Sequence, residues 1–213
     1  MFEVEDTVLY NNTIDSNDYS GIVITESSNN KIIQNVVKGN GKYGIQILND
    51  ATKSANNTIK DNTVNDNSDI AIFNNGIFTK IINNTVKYNE QDGIKIASEG
   101  ARSSISSNNL VDNEGKSIII LAKNIAIESN TIDADSSEIA ISILNANFAS
   151  IENNTIEGGN LGIKVQNSTS AFIYNNTIKS NSGYGIQVLI NSESARVKYN
   201  QLTDNEDNAI VIS

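Results

Sequence analysis

The chain has 213 residues, 38% of them apolar, and carries a formal net charge of −10 because 25 acidic residues outnumber 15 basic ones. This apolar fraction is large enough to bury a core, while the acidic balance disfavours nucleic acid and anionic membranes as partners. The sequence contains no Cys and no His, which excludes thiol nucleophiles, disulfides, imidazole acid–base chemistry and most zinc sites.

A short asparagine motif recurs along the chain and defines a repeat. An Asn followed two residues later by Ile, Val or Leu occurs at Asn12, Asn35, Asn62, Asn84, Asn108, Asn130, Asn154, Asn176 and Asn200. The spacings are 23, 27, 22, 24, 22, 24, 22 and 24 residues, so the sequence predicts nine coils that fill residues 1–213 as one domain. The long spacing predicts an inserted bend near residues 48–56.

Two aliphatic columns flank these anchor asparagines and predict two short strands per coil. The first column stands three residues before the anchor, and the second stands two residues after it. A separation of five residues would place the two columns on opposite faces of a straight strand. We therefore expect the chain to bend at the anchor, because Asn tolerates left-handed backbone geometry and stacked Asn side chains can bond one another.

A second polar column, five residues beyond the anchor, predicts a second bend. It reads Asn17, Asn40, Asn67, Asn89, Asn113, Asp135, Gly159, Asn181 and Asn205. A third strand follows in each coil, with a small residue at its start, as in "GIQI" from Gly44 and "GIKV" from Gly162. The small residue suits a tight bend that enters the strand.

Three short strands per coil of ~22 residues predict an all-β parallel β-helix. A leucine-rich repeat has a similar period, but the remaining stretch of each coil, such as "TESSNN", has no helical periodicity. At a strand spacing of ~4.8 Å the coils would form a rod of roughly 40 Å. No amphipathic cap is visible, so we expect a segment of a longer protein or self-association through uncapped ends.

The repeated "NNTI", the "GI" pair and the second Asn resemble the single-stranded right-handed parallel β-helix repeats of the pectate-lyase-like superfamily. The resemblance covers the whole chain and is strongest to carbohydrate-binding and sugar-hydrolase repeats, which include NosD-like proteins and mannuronan epimerases. It implies that the outward face of the third strand forms a polysaccharide groove. The superfamily also includes lyases, phage tail proteins and non-catalytic surface proteins, so the fold leaves the function open.

The stretches "YGIQIL" and "YGIQVL" resemble the first two residues of a Tyr-Gly-Phe-Asp-Pro-His stretch in mannuronan epimerases. Tyr43 and Tyr184 match its tyrosine. Gln46 and Gln187 stand where the resemblance places a catalytic Asp, and Leu48 and Leu189 stand where it places a His. Because these proton-transfer groups are replaced, we predict no catalytic residues.

A second fragment, "QDGIKIAS", resembles the Asp-Gly-Ile strand of polygalacturonases, although Lys95 replaces its second acidic residue. Asp69 and Asp92 would line up on adjacent coils about 5 Å apart, which is nearer the retaining than the inverting glycosidase geometry. Acidic residues at a solvated bend are the simpler interpretation. Amide hydrogen bonds and ring stacking suit sugars, so the candidate carbohydrate-binding residues are Tyr43, Gln46, Asp92, Lys95, Lys164, Tyr184 and Gln187.

We expect no resident metal and no cofactor. The acidic bends are compatible with calcium, which prefers carboxylate and carbonyl oxygens, but no EF-hand or glycine-rich nonapeptide pattern is present. No run approaches the ~20 apolar residues that a membrane span requires, so we expect no membrane insertion.

The leading interpretation is a non-catalytic module of an extracellular or cell-surface protein that binds a polysaccharide or serves as a rigid scaffold. The regular coils and the lack of His or a clustered acid–base set favour it. The alternative is an enzyme, an epimerase or lyase of uronate polymers in which Tyr43 or Tyr184 works with Lys95 or Lys164. A further alternative is a segment of a phage tail or an adhesin.

Overall fold

The structure is a computed structural model that describes residues 4–49 and 54–213. Within these ranges the chain is built from short strands and bends, and no helix is long and apolar enough to cross a membrane. Part of the insertion predicted near residues 48–56 falls on residues 50–53, which lie outside the described residues.

Each coil contributes one strand to each of three parallel sheets. The first sheet contains Val8–Tyr10, Lys31–Ile33, Thr58–Lys60, Lys80–Ile82, Ser104–Ser106, Ala126–Glu128, Ser150–Glu152, Phe172–Tyr174 and Arg196–Lys198. The second contains Thr13–Asp15, Val36–Lys38, Thr63–Asn65, Thr85–Lys87, Asn109–Val111, Thr131–Asp133, Thr155–Glu157, Thr177–Lys179 and Gln201–Thr203. The third contains Ile22–Thr25, Ile45–Leu48, Ile72–Asn74, Ile94–Ile96, Ile118–Ile120, Ile139–Leu144, Leu161–Gln166, Ile186–Val188 and Ile210–Ile212.

The coils stack in register, so each column of the sequence becomes a column in space. In the first sheet Ile81 pairs with Ile59 on one side and with Ile105 on the other. These aliphatic side chains are fully buried and, with their counterparts in the other two sheets, form one continuous core. The predicted β-helix with three strands per coil and about nine coils is confirmed.

The bends differ from the prediction in one respect, since the left-handed residue is not the anchor asparagine. It is the residue before it, as in Gln34 with φ 55° and Asn83 with φ 54°. This preceding side chain is exposed to solvent, whereas the anchor Asn35 is 1% exposed. The left-handed residue changes the chain direction, and the anchor side chain turns inward to bond the neighbouring coils.

The anchor asparagines form a continuous hydrogen-bonded ladder, as the sequence predicted. Each Nδ2 donates to Oδ1 of the next anchor at 2.9–3.1 Å through all nine coils. At Asn108, Oδ1 also accepts from the backbone N–H of Asn84, and Nδ2 donates to the carbonyl of Ile81. The ladder therefore satisfies bend groups that the strands leave unpaired.

The second ladder is interrupted in the sixth and seventh coils. It runs from Asn17 to Asn113 and resumes between Asn181 and Asn205. In the gap the column holds Asp135 and Gly159, and Oδ1 of Asn181 is buried without a hydrogen-bond partner. The third-sheet strands beside the gap, Ile139–Leu144 and Leu161–Gln166, are six residues long, against three or four in the other coils.

The small residue at the start of the third strand is required by close packing. A Cβ at Gly162 would lie 2.5 Å from the carbonyl oxygen of Gly185 and 2.6 Å from Cγ2 of Ile178. Gly162 has no left-handed φ, so the predicted role as a tight bend is replaced by a steric one. The backbones of adjacent coils approach each other too closely here for a large side chain.

Substitution of Asn108 by Ala tests the first ladder. The variant removes the acceptor of two buried Asn84 donors, and each unsatisfied buried group costs about 1–3 kcal/mol. We expect the free energy of unfolding, measured by urea denaturation, to fall by about 2–4 kcal/mol. The matched control is the exposed neighbour, Asn109→Thr, which should change it by less than about 0.5 kcal/mol. Equal effects of the two substitutions would contradict a stabilising ladder.

Candidate functional site

The predicted sugar-binding residues lie on strands of the third sheet or in the bends just before them, in two groups. One group lies in the second to fourth coils and contains Tyr43, Gln46, Asp92 and Lys95. The other lies in the seventh and eighth coils and contains Lys164, Tyr184 and Gln187. The two groups differ in how far the fold brings their members together.

The second group converges on a single depression. Lys164 and Gln187 are paired neighbours on adjacent strands, and Tyr184 precedes the strand that carries Gln187. All three side chains are half-buried. They line a shallow depression of about 290 Å³, whose other lining residues are Glu138, Ile139, Asn160, Leu161, Gly183 and Asp207.

A second, more polar depression of about 470 Å³ continues from the first and shares Glu138 and Asn160 with it. Its lining includes Asp135 and Gly159, the two residues that interrupt the second ladder. The gap in the ladder and the two depressions therefore occupy the same bend. The surface depressions thus lie where the buried row of asparagines is interrupted.

The electrostatic character of the two depressions is acidic. Asp135, Glu138, Glu206 and Asp207 contribute carboxylates, and Lys164 is the one cation among their lining residues. In the ranges that the structure describes, no group of three or more acidic side chains is placed to hold a metal ion. The arrangement offers hydrogen-bond acceptors and an aromatic ring to a ligand.

The first group does not converge in the same way. The ring of Tyr43 packs against Phe73 at a centroid distance of 5.4 Å. Phe73 also stands between Gln46 and Lys95 in the strand register, so it separates these two predicted residues. Burial raises the pKa of the Tyr43 phenol above its ordinary value, and the nearby Asp69 carboxylate raises it further.

Asp92 has a structural contact of its own. Its Oδ1 accepts a hydrogen bond from the backbone N–H of Lys116 at 2.9 Å, so it connects two successive coils. The predicted alignment of Asp69 with Asp92 is wrong by one residue, because Ile72 pairs with Ile94 and therefore places Asp69 opposite Gln91. The register gives these two carboxylates no paired position.

Sequence reasoning missed Glu138, Asn160 and Asp207 as lining residues of the depression. They belong to bends of the sixth, seventh and ninth coils, and no motif connects them. One feature of the sequence did indicate this depression: Asp135 and Gly159 depart from an otherwise regular asparagine column. A break in this column marks a bend at which the asparagine ladder is interrupted.

Comparison with known proteins gives a family match along almost the whole chain. The model described as "Right handed beta helix region" matches residues 5–132 and 99–213. No curated protein sequence matches the chain.

Three solved structures illustrate the likeness of the fold. The A-module of the Azotobacter vinelandii mannuronan C-5 epimerase AlgE6 is 14% identical with a TM-score of 0.74, over 98% of this chain and 58% of that one. The Streptococcus pneumoniae surface adhesin PfbA is 16% identical with a TM-score of 0.76, over 97% and 62%. The periplasmic alginate epimerase AlgG is 13% identical with a TM-score of 0.71, over 94% and 50%. The chain thus spans 50% to 62% of their lengths, and such identities show the fold alone.

Ultraviolet titration tests the environment of Tyr43. The difference between the native protein and Tyr43→Phe isolates this phenol, which should ionise above the ordinary tyrosine value of 10.0. Asp69→Asn should lower this pKa but leave it raised, because burial is the larger cause. The folded state favours the neutral phenol, so its contribution to stability is present below the ordinary pKa and is lost as pH rises through the raised one. Ionisation at or below the ordinary value would contradict this environment.

Proposed function

The chain belongs to the right-handed β-helix family, and we propose that it is a non-catalytic module that binds a polysaccharide on its third sheet. The observation that carries the proposal is the convergence of Lys164, Tyr184 and Gln187 in one depression. These residues are distant in the sequence, and the stacking of the seventh coil on the eighth brings them together.

The chemistry of these side chains suits a sugar chain. The Tyr184 ring offers an apolar face for stacking, while the Gln187 amide and the Lys164 ammonium offer hydrogen bonds to hydroxyl groups. The depression is shallow, and its polar continuation extends it across neighbouring coils. An extended polymer that passes over the surface fits this shape better than a small enclosed ligand.

The charge of the depression favours a neutral polysaccharide. Four carboxylates line the two connected depressions, against one lysine. A polyuronate would bring further negative charge to this surface and be repelled. We therefore assign neutral sugars to this site.

Two features favour binding over catalysis. Gln187 and Leu189 stand where the resemblance to epimerases places the catalytic Asp and His, and neither side chain can exchange a proton at neutral pH. In the other half of the sheet, the pKa of Tyr43 is raised rather than lowered. A tyrosine that acts as a base needs the opposite shift.

Two of the similar structures support a location outside the cytoplasm. PfbA is described as a surface adhesin and AlgG as a periplasmic enzyme. We infer an extracellular or cell-surface location, in which residues 1–213 form one β-helical unit of a longer protein. In this setting the rigid stack of coils presents the binding face, as an adhesin segment would.

A second candidate function is an epimerase or lyase of uronate polymers. One observation favours it, because Tyr184 and Lys164 line the same depression. In such an enzyme one of the two would remove the proton beside the sugar carboxylate and the other would return a proton. The pair of Tyr43 and Lys95 has no comparable support, since Phe73 lies between their coils.

Tyr184→Ala tests the binding site. We expect affinity for neutral glucan, mannan or xylan oligosaccharides, screened by affinity electrophoresis and quantified by calorimetry, to fall about tenfold through loss of ring stacking. The control Tyr19→Ala removes a tyrosine that is 70% exposed, stacks with Lys42 and lies outside the depression. Equal affinities of Tyr184→Ala and the native protein would contradict the proposal.

Tyr184→Phe separates the two candidate functions. This variant keeps the ring and removes the hydroxyl, so a binding module should retain its affinity within about twofold. Incubation of the native protein with alginate and polygalacturonate should give no unsaturated products and no inversion of uronate stereochemistry. Turnover by the native protein that is lost in Tyr184→Phe would establish the enzyme instead.

A further inference from the structure

The strands of the first sheet carry the largest positive charge of the three sheets. Its strands carry five cations and two carboxylates, namely Lys31, Lys60, Lys80, Arg196, Lys198, Glu128 and Glu152. The strands of the second sheet carry three charges of each sign, and those of the third carry Lys95 and Lys164 with no carboxylate. Lys38 and Lys179 of the second sheet are paired with Asp15 and Glu157, and Lys60 of the first sheet is paired with Asp61. In a chain with a net charge of −10, the first sheet is a positively charged face.

Three aromatic rings gather at one end of this face. Phe172 and Tyr174 stack at a centroid distance of 5.4 Å, and Tyr199 meets Tyr174 edge to face at 5.3 Å. Tyr199 is 76% exposed, although it occupies the left-handed bend position that Asn, Gln, Asp or Ser fill in the other coils. Its ring is therefore available to a ligand rather than buried in the scaffold.

Two cations lie directly beside these rings. The strand register places Arg196 next to Phe172 and Lys198 next to Tyr174, and both cations are exposed. Neither makes an ion pair with a carboxylate in the described part of the chain. On the other side of Tyr174, Glu152 accepts a hydrogen bond from Ser150. We call Phe172, Tyr174, Arg196, Lys198 and Tyr199 the aromatic–cationic patch.

The patch adjoins a depression with hydroxyl groups on its rim. The depression measures about 320 Å³ and is lined by Ser170, Ala171, Phe172, Ser194 and Arg196. Guanidinium groups bind carboxylates in a two-pronged geometry, and serine hydroxyls both donate and accept hydrogen bonds. A ligand that combines a carboxylate, hydroxyl groups and an apolar ring face matches all of these partners.

We propose that the aromatic–cationic patch binds a carboxylated saccharide, whose ring stacks on Tyr199 and whose carboxylate pairs with Arg196 and Lys198. The patch lies on the first sheet, whereas the acidic depression proposed for neutral sugars lies on the third. An acidic peptide shares the carboxylate but presents no sugar-ring face to Tyr199. The strands under the patch are also paired with neighbours and offer no free backbone edge to a peptide, except on the outer side of Arg196–Lys198.

Calorimetry with oligogalacturonate and its fully methyl-esterified form tests this proposal. The ester retains the sugar rings and removes the charge, so we expect it to bind about tenfold more weakly than the acid. Arg196→Gln and Tyr199→Ala should each weaken oligogalacturonate binding about fivefold to tenfold. Lys198→Gln provides a second charge variant, and all three changes fall on exposed side chains. Thermal unfolding should be unchanged in the two charge variants and slightly lowered in Tyr199→Ala, which loses the edge-to-face contact with Tyr174.

Two matched controls lie outside the patch. Tyr10→Ala removes a tyrosine that is 58% exposed on the same sheet, and Arg102→Gln removes an exposed arginine that stacks on Phe78. Both should leave oligogalacturonate affinity unchanged, as should Tyr184→Ala in the third-sheet depression. Unchanged affinity in Tyr184→Ala would show that oligogalacturonate binding does not depend on the neutral-sugar site.

Four results would overturn the proposal. The first is equal binding of the acid and the ester, and the second is unchanged affinity in both Arg196→Gln and Tyr199→Ala. The third is competition by a polyglutamate peptide as strong as that by free oligogalacturonate, because the patch would then recognise carboxylates without the sugar. Loss of binding in Tyr184→Ala alone would move the carboxylated saccharide to the third sheet.

Discussion

Hydrogen bonding by buried asparagine side chains at the bends is the interaction on which this structure depends. Strand pairing satisfies the backbone within each sheet, but a chain that turns every few residues leaves donors and acceptors unpaired between strands. In the first ladder each anchor accepts from the backbone and the side chain of the previous anchor, as Asn108 does from Asn84. The same contacts connect successive coils at the bend between the first and second sheets, alongside the strand pairing.

The proposed third-sheet site lies where this regularity ends. Asp135 and Gly159 replace asparagines of the second ladder, and the neighbouring third-sheet strands are longer. The two connected depressions open at that bend, and Tyr184 lies at their edge. The departures from the second ladder therefore coincide with the surface proposed for neutral sugars.

The repeat could be predicted from the sequence because each column has one physical role in every coil. Aliphatic residues at fixed distances from an anchor gave the strands, the core and the register. The position of the left-handed residue, one before the anchor as in Gln34, could not be predicted because either neighbour satisfies the pattern. Asp69 is offset from Asp92 because the register between their coils is shifted by one residue. The coil spacing of about 5 Å, on which the predicted alignment was based, gives no information on such a shift along the strand.

The candidate sites were less accessible to prediction than the scaffold. Tyr184 and Gln187 were recognised through a local motif, but Glu138 and Asp207 reach the same depression from other coils. The aromatic–cationic patch was missed because its members fall in positions where the repeat accepts any exposed residue. Variable outward positions carry no periodic signal, and only the register shows which of them become neighbours.

Amide hydrogen exchange measured by nuclear magnetic resonance tests most directly whether the side-chain ladders hold the bends. The backbone amides of Asn108, Asn130 and Asn154 donate to the next anchor, and we expect them to exchange as slowly as strand amides. The equivalent amides of Asn113 and Gly159, at the interrupted ladder, have no acceptor among the described residues and should exchange about a hundredfold faster. Equal protection of the two sets would show instead that strand pairing alone holds the bends.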